Sequence, residues 1–488
     1  MIGVAMKAPS MRTILRVAIP ALWLLAMGML ALEHWGGGRD GMTGGGAMRA
    51  PTERLLGERW MGVYLDGRKA GYSMTRLART TDGFSLAGRL SLNVKLLGEP
   101  REIATTLDAL LGPDLRLRSF EASLNADIPL RARGSVEGGT LLVTVETPGG
   151  AETFTVAMAE APAVEDALLA AVAAGDLREG RSFTMPVLDP LSLRIEDAHL
   201  MVTGRETVTI GAREYEAHVL RGKVGGMAFT AWVDDAGEVL REETPLGFAF
   251  VRETREEALA EAAPPEDLIR RVAVPIDLAM PAHPRLLRLR VRGIETSGLA
   301  LAGGRQTFED GVLTIREETP GGTISSAQGP DSHYLAPSTG VESDDPGIAA
   351  LARKITAGAS SPDERARRVM EWVHGNMTRE IVVGAPSARE VLATLRGDCN
   401  EHTVLAAALT RATGVPARMA GGLVFMDDAF YYHAWPEVWL GGWVAVDPTL
   451  GQFPADAAHV RLVAGGLEGF RGLLSVMGAI RLEGLEAR

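Results

Sequence analysis

Residues 396–418 read RGDCNEHTVLAAALTRATGVPAR, and residues 431–449 read YYHAWPEVWLGGWVAVDPT. The first stretch is a helix punctuated at both ends. Gly397-Asp398 precede it, and Gly414 with Pro416 closes it. Val404, Leu405, Ala408, Leu409 and Ala412 make an apolar stripe at helical spacing. Cys399 opens the helix, roughly opposite that stripe, beside the small residues Thr403, Ala406 and Thr410. A thiol at a helix N-terminus is expected to ionise below the roughly 8.5 of a free cysteine, because the positive end of the dipole favours the thiolate. A lone cysteine is otherwise most often a small buried apolar side chain.

The second stretch is a β-hairpin around Gly441-Gly442. Strand period two places His433, Trp435, Glu437 and Trp439 on one face, and Ala434, Pro436, Val438 and Leu440 on the other. On the return strand Val444 and Val446 alternate with Trp443, Ala445 and Asp447. If the apolar faces share one core, His433 and Asp447 share the opposite face, where a carboxylate can orient an imidazole. A strict two-residue turn forbids this, because Pro436 would then oppose Asp447. The pairing therefore needs one residue more or less, from a three-residue loop or from a bulge, with Pro436 as the bulge site. In the corrected register Trp435 opposes Asp447, and His433 lies on the diagonal within reach.

Order, spacing and identity in these strings resemble the core of the transglutaminase-like superfamily. The strings are Arg396 to Thr403, Gly414 to Arg418, His433 to Trp439, Gly442-Trp443 and Asp447-Pro448-Thr449. The match spans about residues 345–460. It implies a papain-like thiol fold with Cys399 as nucleophile, His433 as general base and acid, and Asp447 as the orienting carboxylate. It also implies an acyl-thioester, resolved by water in a peptidase or amidase and by an amine in an acyltransferase. Some members of the superfamily lack activity, so a non-catalytic peptide-binding or assembly module of the cell envelope is the alternative. Trp435 and Glu437, on the His433 face, are candidates for substrate contact. His402, one turn along the cysteine helix, has poor geometry for the base. Asp456 and His459 are close enough in sequence to border the site. Arg418 is expected to pair with a carboxylate. No cofactor and no metal are called for: Glu342-Ser343-Asp344-Asp345 lacks calcium-ligand spacing and reads as a helix cap.

Outward from this core the chain changes character. With 488 residues, 46% hydrophobic and 23% charged, it is sized for two or three globular domains. Its net charge of −12 argues against a nucleic-acid partner. A single cysteine excludes an intramolecular disulfide. Residues 54–256 read as an antiparallel β-rich domain. The hairpin signals are Asp66-Gly67, LRARGSVEGGTLLVTVET at 130–147, RETVTIGAREYEAHVL at 205–220 and the stretch 229–243. Pro162 to Ala174 reads as one helical insertion. This region resembles N-terminal segments of bacterial exported transglutaminase-like proteins only loosely. Residues 257–342 read as a connector with short strands, and 343–488 as the catalytic domain, expected to fold alone from about Gly340. Ser361-Pro362-Asp363-Glu364 and Ser387-Ala388-Arg389-Glu390 read as capping boxes.

The N-terminus carries Lys7, Arg12 and Arg16 before an apolar run from Val17 to Leu32, with no acid before Glu33. Residues 1–35 therefore read as an inner-membrane anchor, single-pass, with the bulk of the chain in the periplasm or extracytoplasmic space. The alternatives are a signal cleaved near Ala26-Met27-Gly28, giving a secreted protein, and a buried core helix. Residues 36–53 read as a Gly-rich linker. The fold class expected is α+β: a transglutaminase core preceded by an antiparallel β-rich region, acting on a protein or peptide substrate.

Overall fold

The computed structural model describes residues 53–488 except 97–98, 128, 148–149, 159, 165–176, 190–193, 225–226, 245–246, 263–266, 319–329, 339, 381, 383–386, 467–472 and 474–475. The N-terminal apolar run, nearly all of the Gly-rich linker and most of the expected 162–174 helix lie outside these residues. Of that expected helix, Ala163-Val164 is a short strand paired with Ser182–Asp189. Among the described residues no helix is long and apolar enough to cross a membrane.

The β-rich region is one sheet of fifteen strands. Its strands run outward in chain order from Gly57–Leu65 to Gly150–Ala157, then resume on the other side, so that Phe248–Glu253 pairs back onto Gly57–Leu65. All pairings are antiparallel but the one at Ala163-Val164. Turn chemistry sets the hairpins. Leu65 pairs with Arg68, and Asp66 and Gly67 both take positive φ, as a two-residue turn with the strands' own twist requires.

Residues 268–488 build a second body of helices, two smaller sheets and a two-stranded parallel pair, Thr378–Arg379 with Arg396–Gly397. In one sheet Val274-Pro275, Ala429–Trp439, Ala417–Met426 and His459–Gly465 lie in that order, with Trp443–Ala445 on the far end of the hairpin strand. In the other, Gln306–Glu309, Val312–Arg316, Leu286–Arg292 and Arg481–Ala487 lie in order. The helices Pro346–Ile355, Pro362–Asn376, Ala388–Thr394 and Cys399–Ala412 belong to this body. One buried apolar cluster takes in Leu287, Leu289, Leu313, Ile315, Ile348, Val369, Leu405, Leu409, Phe430 and Leu462. The expected boundary at 342/343 thus cuts through a sheet and through this core. The strand Leu286–Arg292 pairs with the last strand of the chain, and no short-range pattern reveals a pairing across nearly 200 positions.

Local caps differ from expectation in detail. Ser361 accepts from the Glu364 amide, while the Glu364 carboxylate takes the Ser360 amide instead of that of Ser361. Ser387 makes no cap hydrogen bond, because its hydroxyl donates to Glu342 at 2.8 Å. Asp345 does cap its helix, accepting from Gly347 and Ile348.

Candidate active site

The site begins with a reciprocal cap. Asp398 is the N-cap of Cys399–Ala412, accepting from the Asn400 amide at 2.8 Å, and Glu401 accepts from the Asp398 amide at 2.8 Å. The Asp-x-x-Glu spacing was a legible signal for this box. Gly397, at φ +151°, lets the Glu401 side chain fold back, since a Cβ there would lie 2.3 Å from it. The helix is buried on all sides. Cys399 to Arg411 are buried at every position but Asn400, so the expected division into an apolar stripe and a cysteine face is absent. Strands Ala417–Met426 and Ala429–Trp439 flank it, and Val404, Leu405 and Leu409 share a core with Phe430, Tyr432 and Ala434.

Cys399 is 2% exposed. Burial, then the charge of Asp398, push the thiol well above its usual range. The expectation of a lowered value is therefore corrected. The dipole of the helix is outweighed by desolvation and by two carboxyl groups on the same first turn. Burial, reinforced at Asp398 by the Glu401 charge, pushes both acids upward as well.

The hairpin supplies the second part. Trp439 pairs with Trp443, Val438 with Val444 and Glu437 with Ala445, leaving a three-residue loop, Leu440-Gly441-Gly442. The Val446 amide donates to the Pro436 carbonyl, so the same register continues with no bulge at Pro436. Asp447 then lies opposite Trp435 and reaches His433: Asp447 Oδ2 is 2.7 Å from His433 Nε2. Asp447 Oδ1 accepts from the amides of Thr449 and Leu450 at 2.7 and 2.9 Å. His433 Nδ1 is buried without a hydrogen-bond partner among the described residues. A neutral imidazole that donates through Nε2 has its lone pair on Nδ1.

A second histidine shares the carboxylate. His459 Nε2 lies 3.0 Å from Asp447 Oδ2, and His459 Nδ1 lies 3.2 Å from Asp456 Oδ1. Burial opposes charge on this ring, but its hydrogen bonds to Asp447 and Asp456 raise it to about 9. Burial alone would also raise Asp447; the His433 and His459 partners outweigh it and hold the carboxyl far below the usual range. His433, Asp447 and His459 offer three ligand-type atoms within 4.8 Å of one another. Hydrogen bonding already occupies the two Nε2 atoms and the shared oxygen, so this donor set does not fit a cation.

Glu437 is not placed for substrate contact. It is 1% exposed, and its oxygens are taken by Arg418 Nε at 2.7 Å and Arg461 Nη1 at 2.9 Å. The strand-face pattern puts Glu437 beside the site but cannot show two arginines arriving from other strands. Arg461 also donates to the carbonyls of Ala300, Ala302 and Gly303. Trp435 is 1% exposed, with its ring edge-on to His459 and parallel to His433 at 6.1 Å. It packs the imidazoles and does not face an open groove. His402 donates from Nδ1 to the Asp398 carbonyl at 2.6 Å, and burial lowers it to about 4. Sequence reasoning missed Glu318, which accepts from the Ala445 amide at 3.2 Å and pairs with Arg305 at 3.1 Å.

No curated protein gives a match. Among solved structures the chain is similar to a proposed cysteine protease from Cytophaga hutchinsonii (15% identity, 42% of this chain and 85% of that one, TM-score 0.26). It is also similar to a β-barrel-like domain of unknown function from Brucella abortus (11%, 40% and 94%, TM-score 0.31). A third is a proposed protease from Parabacteroides distasonis (11%, 81% and 67%, TM-score 0.21). Residues 349–448 match the model of the transglutaminase-like superfamily, and this segment holds the helix of Cys399 and the hairpin of His433.

Proposed function

We propose that the chain is a thiol-dependent amide-bond hydrolase or acyltransferase acting through an acyl-thioester on Cys399. The observation that carries this reading is the orientation of His433. Its Nε2 is tied to Asp447, and its Nδ1 is left open, on the strand that packs against the Cys399 helix. The helix of Cys399 against the hairpin sheet is the papain-like arrangement in which these roles are coherent. His433 Nδ1 takes the thiol proton as sulfur attacks the amide carbonyl. The imidazolium, stabilised by Asp447, returns that proton to the leaving nitrogen. The Cys399 amide has no partner within the helix and suits the developing oxyanion. Water or an amine then attacks the thioester with His433 again as base.

Hydrolysis is the favoured direction, on a protein or peptide outside the cytoplasm. The positive residues 7–16 ahead of the apolar run support that placement. Reporter fusions after residue 60 test it: activity of a cytoplasmic reporter would remove it. Incubating the full chain with a peptide mixture and a labelled primary amine tests the reaction. Cleaved peptides without amine incorporation mark a hydrolase, and incorporation marks a transferase. Either activity surviving Cys399→Ser would overturn the reading. The 2% exposure and raised thiol favour one rival, a peptide-binding module without turnover; it predicts peptide capture by Cys399→Ser and no product from the parent chain.

A further inference from the structure

The proposed reaction uses one histidine on Asp447, but the structure has two. His459 is fully buried, with Asp447 on one ring nitrogen and Asp456 on the other. An ionised carboxylate only accepts hydrogen bonds. Both His459 nitrogens must therefore carry protons, which makes the ring an imidazolium. His433 differs, with one nitrogen on Asp447 and the other open. Two rings thus sit on one carboxylate oxygen, one held at both nitrogens and the other at one.

We propose that His459 is a positioning residue: a fixed cation on Asp447 that keeps His433 neutral, so that the resting pair is thiol and imidazole and not thiolate and imidazolium. The inference rests on reading Cys399 and His433 as a reacting pair. Asp447 already has its charge met by His459, so it holds a proton on His433 less strongly than an unshared carboxylate would. From the helix, Asp398 and Glu401 act in the same sense, disfavouring thiolate. The other charged or titratable groups around this set are His402 on the same helix, Arg379 and His374 on the Asp447 side, and His283, 3.6 Å from Asp456. Arg305 and Glu318 pair with each other, and Arg305 donates to the Asp456 carbonyl. None of these places a second cation on the oxygen that His433 and His459 share.

The test is the rate of Cys399 alkylation by iodoacetamide against pH, on the full chain. Asp456→Asn removes one of the two carboxylates that keep His459 charged while leaving the ring in place; His459→Gln removes the cation itself. Thermal melts verify that each variant folds, and Asp456→Asn decides should His459→Gln fail to fold. In both, the Asp447 charge falls on His433 alone. The lower inflection of the profile should move up by about one unit and the rate at neutral pH should rise about tenfold. A folded Asp456→Asn with the parent profile, or with its inflection moved down, overturns the proposal. His433→Ala separates the two readings. Loss of the lower inflection there, with Asp456→Asn unmoved, defeats only the role of His459; a parent-like profile in His433→Ala defeats the reacting pair and with it this inference.

Discussion

At the scale of single residues, the site is governed by where charge is buried. His459 has a folded value of about 9, above the roughly 6.5 of an unfolded histidine. A raised value means its contribution to stability is complete below about pH 6.5 and is lost as pH rises through about 9. The contribution is at most about 3 kcal/mol. Urea unfolding should therefore show a midpoint that falls between about pH 6 and about pH 10, and His459→Gln should flatten that fall. A parent midpoint that is level across the window would contradict the buried imidazolium. Asp447 has the opposite sign: its lowered value gives stability above about pH 4 that is lost on acidification. Cys399, His433 and Asp447 were legible in the sequence because each stands at a position that helix ends or strand period single out. The raised thiol was not, since it depends on Asp398 and Glu401 being buried with it, and burial is set by elements far along the chain.

At the scale of elements, the hairpin decides whether the residues meet. Strand alternation alone makes the need for an odd loop visible, and the loop Leu440-Gly441-Gly442 supplies it. Deleting Ala445 should keep the three-residue loop and carry Asp447 to the position opposite Pro436, on the other face. The variant should still melt cooperatively, while its Cys399 alkylation profile matches that of His433→Ala. A deletion variant with the parent profile would show that register is not what brings Asp447 to His433. Glu437 marks the limit of such reasoning. Alternation placed it on the right face, but its partners Arg418 and Arg461 come from the adjacent strand and the strand beyond it, and only the sheet order reveals them.

At the scale of the molecule, the second body is larger than its motif. The strands Leu286–Arg292 and Arg481–Ala487 pair, Arg305 and Glu318 bury an ion pair beside the hairpin, and Arg461 binds the carbonyls at 300–303. A chain starting at about Gly340 would leave Arg481–Ala487 without its neighbour and the Ala445 amide without Glu318. It should show no cooperative melt, whereas a chain starting at about residue 254 should melt cooperatively. A sharp transition in the shorter chain would contradict this. The fifteen-stranded sheet was legible as β-rich from its turns, but its order was not, because the first strand pairs with the last. The most direct measurement of the central claim is the intact mass of the chain after brief exposure to an activated ester of a blocked amino acid, quenched in acid. The account predicts one acyl group on Cys399, released by hydroxylamine and nearly absent from His433→Ala; acylation elsewhere, or to the same extent in His433→Ala, would contradict it.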